Sequence, residues 1–253
     1  VIPLAGQRVL LAYGLLGEVF AGLRPLGFDY MGAHLDWLRS EGAEARVVRV
    51  PTAAPVAENA LVLRRALLED ARPAILVAHS KGGLEALAAL MDEEAAARCA
   101  GLLAMQSPFR GTMVAELVLE LKGAETATRF FARLLGIGSG EGLLDLTLAR
   151  RAEWMDAHEA RIEALLARLP VACLATEIGG ALSGRERLHG MAARWLEQRG
   201  AGPNDGLVSV ESALLPGARH LVLPGSHIAT VSRGGARDPV AMLREGLALL
   251  TPP

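Results

Sequence analysis

Three residue types that together run acyl transfer occur along this chain in the order serine, aspartate, histidine. Ser80 lies in Ala78-His79-Ser80-Lys81-Gly82, directly after the apolar run Ala74-Ile75-Leu76-Val77 and directly before a helix-patterned stretch. A strand, a sharp turn carrying one serine and then a helix pushes a hydroxyl out at the top of a sheet as a nucleophile. Ala78 and Gly82 suit such a turn because larger side chains there would meet neighbouring backbone, and Gly83 extends that tolerance. The pentapeptide alone is a common string. It gains meaning from Asn204-Asp205-Gly206, a turn signal followed by Leu207-Val208, and from Gly225-Ser226-His227, which follows the strand-like Leu221-Val222-Leu223.

A serine hydroxyl attacks well near neutral pH only if a base removes its proton, and imidazole suits that task. Of the six histidines, His227 is the candidate, since its Gly-Ser-His loop leaves the backbone free to reach toward Ser80. His79 adjoins the nucleophile and points elsewhere on the turn, His220 falls inside the last strand, and His34, His158 and His189 lie in helix-like or linking segments. Asp205 would accept the second ring N–H of the base and hold its tautomer. Glu177, at the end of the run Val171 to Thr176, is the competing acid; the Asn-Asp-Gly turn favours Asp205. An oxyanion hole needs two backbone donors, expected at the N–H of Lys81 and the N–H of Leu15 in Tyr13-Gly14-Leu15-Leu16-Gly17. That loop lacks the Gly-x-Gly-x-x-Gly spacing, which argues against a dinucleotide.

These residues need a scaffold, and the patterning supplies one. Short apolar runs at Val9–Tyr13, Ala45–Val50, Ala74–Ala78, Leu102–Met105, Val171–Thr176 and His220–Leu223 read as buried strands. Between them, Val56, Ala60, Leu63 and Leu67 share one helix face, and Leu84, Leu87, Ala88 and Met91 another. Such alternation predicts right-handed crossovers and a mostly parallel sheet flanked by helices. A last helix is signalled by Asp238 as N-cap and Pro239 at its first position, with Val240, Leu243, Leu247 and Leu250 inward. The rhythm breaks from Ser107 to Pro170, where helix-like segments (Met113 to Leu121, Thr128 to Leu135, Glu159 to Leu169) replace strands and Gly136-Ile137-Gly138-Ser139-Gly140 offers a hinge. The expectation is a helical cap or lid insertion over 107–170, with Phe130 and Phe131 offering apolar surface to substrate.

At 253 residues the chain suits one undivided domain spanning 1–253. Although 51% of residues are apolar, no uninterrupted run approaches the length of a membrane span. A net charge of -2 gives no electrostatic case for nucleic acid. Cys99 and Cys173 are too few and too far apart for a metal spacing, and read as small buried hydrophobes; they fall near the starts of two strands that could be neighbours, so a disulfide stays open. No signal peptide is visible, and a cytoplasmic location is the expectation, with secretion or a periplasmic location left open because the numbering starts at Val1 without Met.

Taken together, the motifs resemble the α/β-hydrolases of the bacterial lipase and esterase group over most of the chain. Tyr13 to Gly17 is similar to the family's His-Gly loop, Ala78 to Gly83 to its elbow, Ser107 to Thr112 to its segment after the next strand, Asn204 to Val208 to its acid turn, and Gly225 to His227 to its histidine loop. The resemblance implies an α/β-hydrolase fold, a Ser80–His227–Asp205 triad, and carboxylic esters with an acyl chain as substrates. Tyr13 stands where the family usually has histidine, and is expected to face substrate. Lys81 is an unusual charge after the nucleophile, read either as favouring an anionic substrate group or as solvated. No cofactor is implied. Calcium is not expected either, because Ala229 and Arg233 stand where calcium-binding lipases carry ligands. The same machinery would also serve an acyltransferase, thioesterase or polyester depolymerase, or survive in a catalytically silent binding protein.

Overall fold

Strands whose residues are apolar on both faces pair in parallel and must be covered on both sides. The computed structural model describes residues 3–14, 30–120, 141–179, 186–232 and 238–251, and within them the inner strands of the sheet follow this rule while its two edge strands are partly exposed. Six strands, β1 (Arg8–Ala12), β2 (Glu44–Val48), β3 (Ala74–His79), β4 (Cys99–Met105), β5 (Val171–Glu177) and β6 (Arg219–Pro224), form one sheet in the order β2-β1-β3-β4-β5-β6. Every neighbouring pair is parallel. All six runs read as strands are strands, with ends displaced by at most three residues.

Alternate strand residues feed two separate cores. Leu10, Leu76, Leu102 and Ala104 pack toward α2 (Val56–Leu68) and α3 (Lys81–Ala89), where Ala60, Leu63, Leu67, Leu84 and Leu87 complete the layer. Val9, Leu11, Ile75, Val77 and Leu103 point the other way, toward α1 (Gly32–Ser40) and α9 (Pro239–Ala248). Each such leucine or isoleucine, fully withdrawn from water, contributes roughly 1.5–3 kcal/mol. The helix α9 starts as expected, with the Asp238 carboxylate accepting the N–H of Val240 at 3.0 Å and Pro239 in the first turn. Its buried face is carried by Met242, Leu243 and Leu247, while Val240 is only half-buried. Close approach to the sheet comes from Gly246, where a Cβ would lie 2.8 Å from a Leu103 methyl.

Between β4 and β5 the described residues form helix only: α5 (Met113–Glu120), a 3₁₀ turn (Glu141–Leu146) and α6 (Leu148–Leu166). The helix α6 begins well before the segment expected from Glu159, because Thr147 caps it by accepting the N–H of Arg150. The remainder of that insertion, with Phe130, Phe131 and the glycine hinge, lies outside the described residues, as does Leu15. The short helices α4 (Glu93–Ala97), α7 (Arg187–Glu197) and α8 (Val210–Ala213) complete the layers. Cys99 and Cys173 are both free and buried. Register explains why: β4 and β5 are neighbours, but Cys173 stands opposite Ala104, not Cys99. Burial pushes both thiols up to about 12.

Candidate active site

In a parallel sheet the loops leaving the carboxyl ends of the strands share one rim. Ser80 follows β3, Gln106 follows β4, and the loops after β5 and β6 bring in Asp205 and His227. The local backbone bears the marks of that convergence. Met31, Ser80 and Gln106 are the described non-glycine residues with positive φ, at 56°, 54° and 52°. Such conformations cost on the order of 1–3 kcal/mol each and persist only where surroundings enforce them. For Ser80 the enforcement is visible: its N–H donates to Met105 O at 2.9 Å, and its carbonyl accepts the N–H of Gly83 at 3.0 Å. A Cβ on Gly82 would stand 2.4 Å from Tyr13 O, and one on Gly83 1.9 Å from Ser107 Oγ. The glycines therefore let α3 lie directly against the loops after β1 and β4.

The structure brings Ser80, His227 and Asp205 together. Nε2 of His227 lies 3.0 Å from Ser80 Oγ, and its Nδ1 lies 2.8 Å from Asp205 Oδ2. The other carboxylate oxygen, Oδ1, accepts the N–H groups of Leu207 at 2.9 Å and Val208 at 2.8 Å. Asp205 is 1% exposed, and these three partners satisfy both of its carboxylate oxygens. Nδ1–H donating to Asp205 leaves the Nε2 lone pair toward the Ser80 hydroxyl, the orientation a general base requires. The acid turn is braced in turn. Asn204 accepts the N–H of Gly206 and donates to the carbonyls of Ala193 and Gly202, the N–H of His227 donates to Asp205 O, and Gly206 takes φ 95° against the backbone of His189. Glu177 ends β5 as expected, but its recorded contact with the histidine loop is through its backbone carbonyl, which accepts the N–H of Gly225.

Lys81 departs from the solvated reading, since its side chain is turned inward and bonded within the protein. Its side chain is 1% exposed, and Nζ donates to Ala54 O at 2.7 Å and to Glu85 Oε1 at 2.5 Å. Glu85 Oε1 also accepts the amide of Asn59 at 2.8 Å. Burial pushes the Glu85 carboxyl up against the opposing pull of Lys81 and Asn59. Position 81 opens the helix after Ser80, so its side chain passes under that turn while its backbone N–H belongs to the helix N-terminus. Tyr13 is half-buried and stacks edge-on against Tyr30 with centroids 5.7 Å apart. Sequence patterning left Tyr30 and Gln106 unnoticed, because nothing in their spacing signals the contacts that they make.

His189 adds a pH sensitivity of its own. It is 6% exposed, and neither ring nitrogen has a hydrogen-bond partner among the described residues. Burial, reinforced by the charge of His227 and opposed by Asp205, brings its value down from 6.5 to about 4. Between those values the unfolded chain binds a proton that the folded chain refuses, so unfolding takes up a proton and stability falls as pH falls. The His189 contribution is complete above the unfolded value and shrinks as pH drops toward the folded one. Denaturant titrations of parent and His189→Leu are expected to show the parent losing roughly 2 kcal/mol more between about pH 7 and pH 4.5. Parallel losses in the two proteins would refute the assignment.

Among the described residues no group of three or more His, Cys, Asp or Glu side chains could hold a metal ion, and no helix is long and apolar enough to cross a membrane.

This architecture, a six-stranded parallel sheet flanked by helices, is the α/β-hydrolase fold seen in bacterial lipases and esterases. The chain is similar to the mature form of a lipase from Bacillus licheniformis, with a TM-score of 0.75 at 20% identity, covering 98% of this chain and 93% of that one. It is also similar to a metagenomic carboxyl esterase, with a TM-score of 0.71 at 22% identity over 97% of this chain and 75% of that one. Lipase 1 from Pelosinus fermentans follows at a TM-score of 0.60 and 14% identity, covering 98% and 100% of the two chains. No protein-family model and no curated protein sequence matches the chain. At these identities the likeness establishes the fold.

Proposed function

We propose that this chain is a serine carboxylic-ester hydrolase of the esterase and lipase type. The observation that carries the reading is the hydrogen-bonded run from Asp205 through His227 to Ser80, at 2.8 and 3.0 Å, on a fold whose solved representatives include lipases and a carboxyl esterase. Ser80 Oγ attacks the ester carbonyl carbon while His227 Nε2 takes the hydroxyl proton. Negative charge then develops on the former carbonyl oxygen, where the N–H groups of Lys81 and Leu15 are assigned as donors. Collapse breaks the bond to the alcohol oxygen, which leaves with the proton from Nε2, and an acyl group stays on Ser80. Water repeats the sequence with His227 again as base then acid, releasing the acid and restoring Ser80.

The insertion over 107–170 is assigned as a cap over the acyl chain, with Tyr13, Phe130 and Phe131 as apolar substrate contacts. Its described carboxyl-terminal part leans on the elbow: the N–H of Gly142 donates to Ala53 O at 3.1 Å, and a Cβ there would stand 3.1 Å from Lys81 Cε. A series of p-nitrophenyl esters from acetate to palmitate tests the reading. Turnover of the series is expected, with covalent labelling of Ser80 by an activated phosphonate. Replacing Phe130 and Phe131 by serine should raise KM for long acyl chains more than for acetate, since each methylene contact is worth at most about 0.8 kcal/mol and short chains make few. Equal losses at every chain length would assign the two residues to the core.

A further inference from the structure

We infer that Tyr30, His79 and Gln106 are positioning residues, forming a directed hydrogen-bond path beneath the nucleophile from the backbone of the His227 loop to the N–H of Gly14. Through this path Tyr30 registers the loop that precedes Leu15 against Ser80. The functional part of the inference rests on the reading of Ser80 and His227 as an ester-hydrolysing pair.

The directions of the protons follow from groups that have no choice. The carbonyl oxygens of Ser226 and His227 can only accept. Gln106 places Nε2 at 2.9 Å from Ser226 O and also donates to Thr176 Oγ1, so its amide group is oriented with Oε1 on the opposite side. There Oε1 accepts Thr230 Oγ1 at 2.6 Å and faces His79 Nε2 at 3.0 Å. His79 Nε2 is therefore set between two acceptors, Gln106 Oε1 and His227 O, each at 3.0 Å, and must carry the proton. Its Nδ1 then presents a lone pair, and the Tyr30 hydroxyl, 2.5 Å away, is the donor to it. With its proton directed to His79, the Tyr30 oxygen accepts the N–H of Gly14 at 3.2 Å.

Two further observations place this path at the site. A Cβ on Gly14 would meet Ser80 Cβ at 2.7 Å and the Tyr30 hydroxyl at 3.0 Å, so the first-strand loop is clasped between the nucleophile and the tyrosine with no room for a side chain. Tyr30 is itself tied downstream of His227, through a backbone bridge to Ser232 and the N–H of Met31 donating to Val231 O at 2.9 Å. One imidazole thus relates the loop of the base to the loop expected to receive the oxyanion. The chemistry keeps the path in one protonation state, since burial drives His79 well below the ordinary histidine value and raises the Tyr30 phenol.

The test is Tyr30→Phe, which deletes one oxygen and keeps the ring. With rates normalised to sites titrated by the phosphonate, the variant is expected to lose about tenfold to a hundredfold in kcat on p-nitrophenyl butyrate with KM within twofold, because a small misplacement of a donor acts on the transition state more than on the bound ester. Retention of kcat within twofold, even with a lowered unfolding temperature, would overturn the positioning role. ¹⁵N-histidine NMR of the unsubstituted protein supplies an arm that needs no activity: His79 is expected as the neutral Nε2–H tautomer from about pH 8 to pH 5. An Nδ1–H tautomer would break the path whatever Tyr30→Phe does. If the parent hydrolysed no ester while the tautomer was as expected, the hydrolase reading and the catalytic role of the path would fall together and only the hydrogen-bond path would stand.

Discussion

Ser80→Ala is expected to lower ester hydrolysis by about a thousandfold or more, while circular dichroism and the unfolding midpoint stay close to those of the parent. The size follows from the division of labour at the site. Under the proposed mechanism the variant would keep its backbone donors but have no oxygen to form the acyl-enzyme. The fold should tolerate the loss because the constraints on the elbow are made by backbone groups and by Gly82 and Gly83, not by the Ser80 hydroxyl. Rates on p-nitrophenyl butyrate, with a mock purification as background, decide the matter. Retention of most of the activity would sink the hydrolase assignment at Ser80.

Asp205→Asn is expected to be comparably severe, on the order of a thousandfold to ten-thousandfold in kcat, and far more costly than Glu177→Gln. An amide at position 205 can keep its Oδ1 on the N–H groups of Leu207 and Val208, which places its NH₂ against His227 Nδ1. That donor forces Nδ1 to become the acceptor and moves the ring proton to Nε2, facing Ser80 with the wrong polarity. Glu177, whose backbone carbonyl holds Gly225, makes no hydrogen bond to the ring among the described residues. A larger loss for Glu177→Gln would transfer the orienting role to it.

Much of the sheet and of the candidate site is legible in the sequence, for identifiable reasons. The strands announce themselves because a sheet covered on both faces needs continuous apolar runs, and the glycines flanking Ser80 mark places where backbone meets backbone. Asp205 and His227 could be singled out because each follows a strand-like run or turn signal in the required order. Helix α6 is only half legible: Arg151 and His158 interrupt the inward stripe of Trp154, Met155, Ile162 and Leu165, and its first turns depend on the Thr147 cap. The environment of Lys81 was not legible at all. Its burial depends on Ala54 in the β2–α2 loop and on Gly142 in the insertion, segments distant in sequence that only the folded topology brings together. Tyr30 and Gln106 belong to the same class, since an isolated tyrosine or glutamine carries no periodic signal of its partners.

The sealed ammonium group of Lys81 also makes the elbow measurable from outside. The sequence contains two lysines, Lys81 and Lys122, among 26 basic residues. An amine-directed reagent can acylate Lys81 only in moments when Nζ has left Ala54 and Glu85 and water has entered beneath α3. Slow modification at that one position, followed by peptide mass spectrometry, would therefore clock local opening under the nucleophile, separately from global unfolding and from turnover. Compared with and without a bound phosphonate, the clock would read how far covalent modification of Ser80 steadies the helix that follows it.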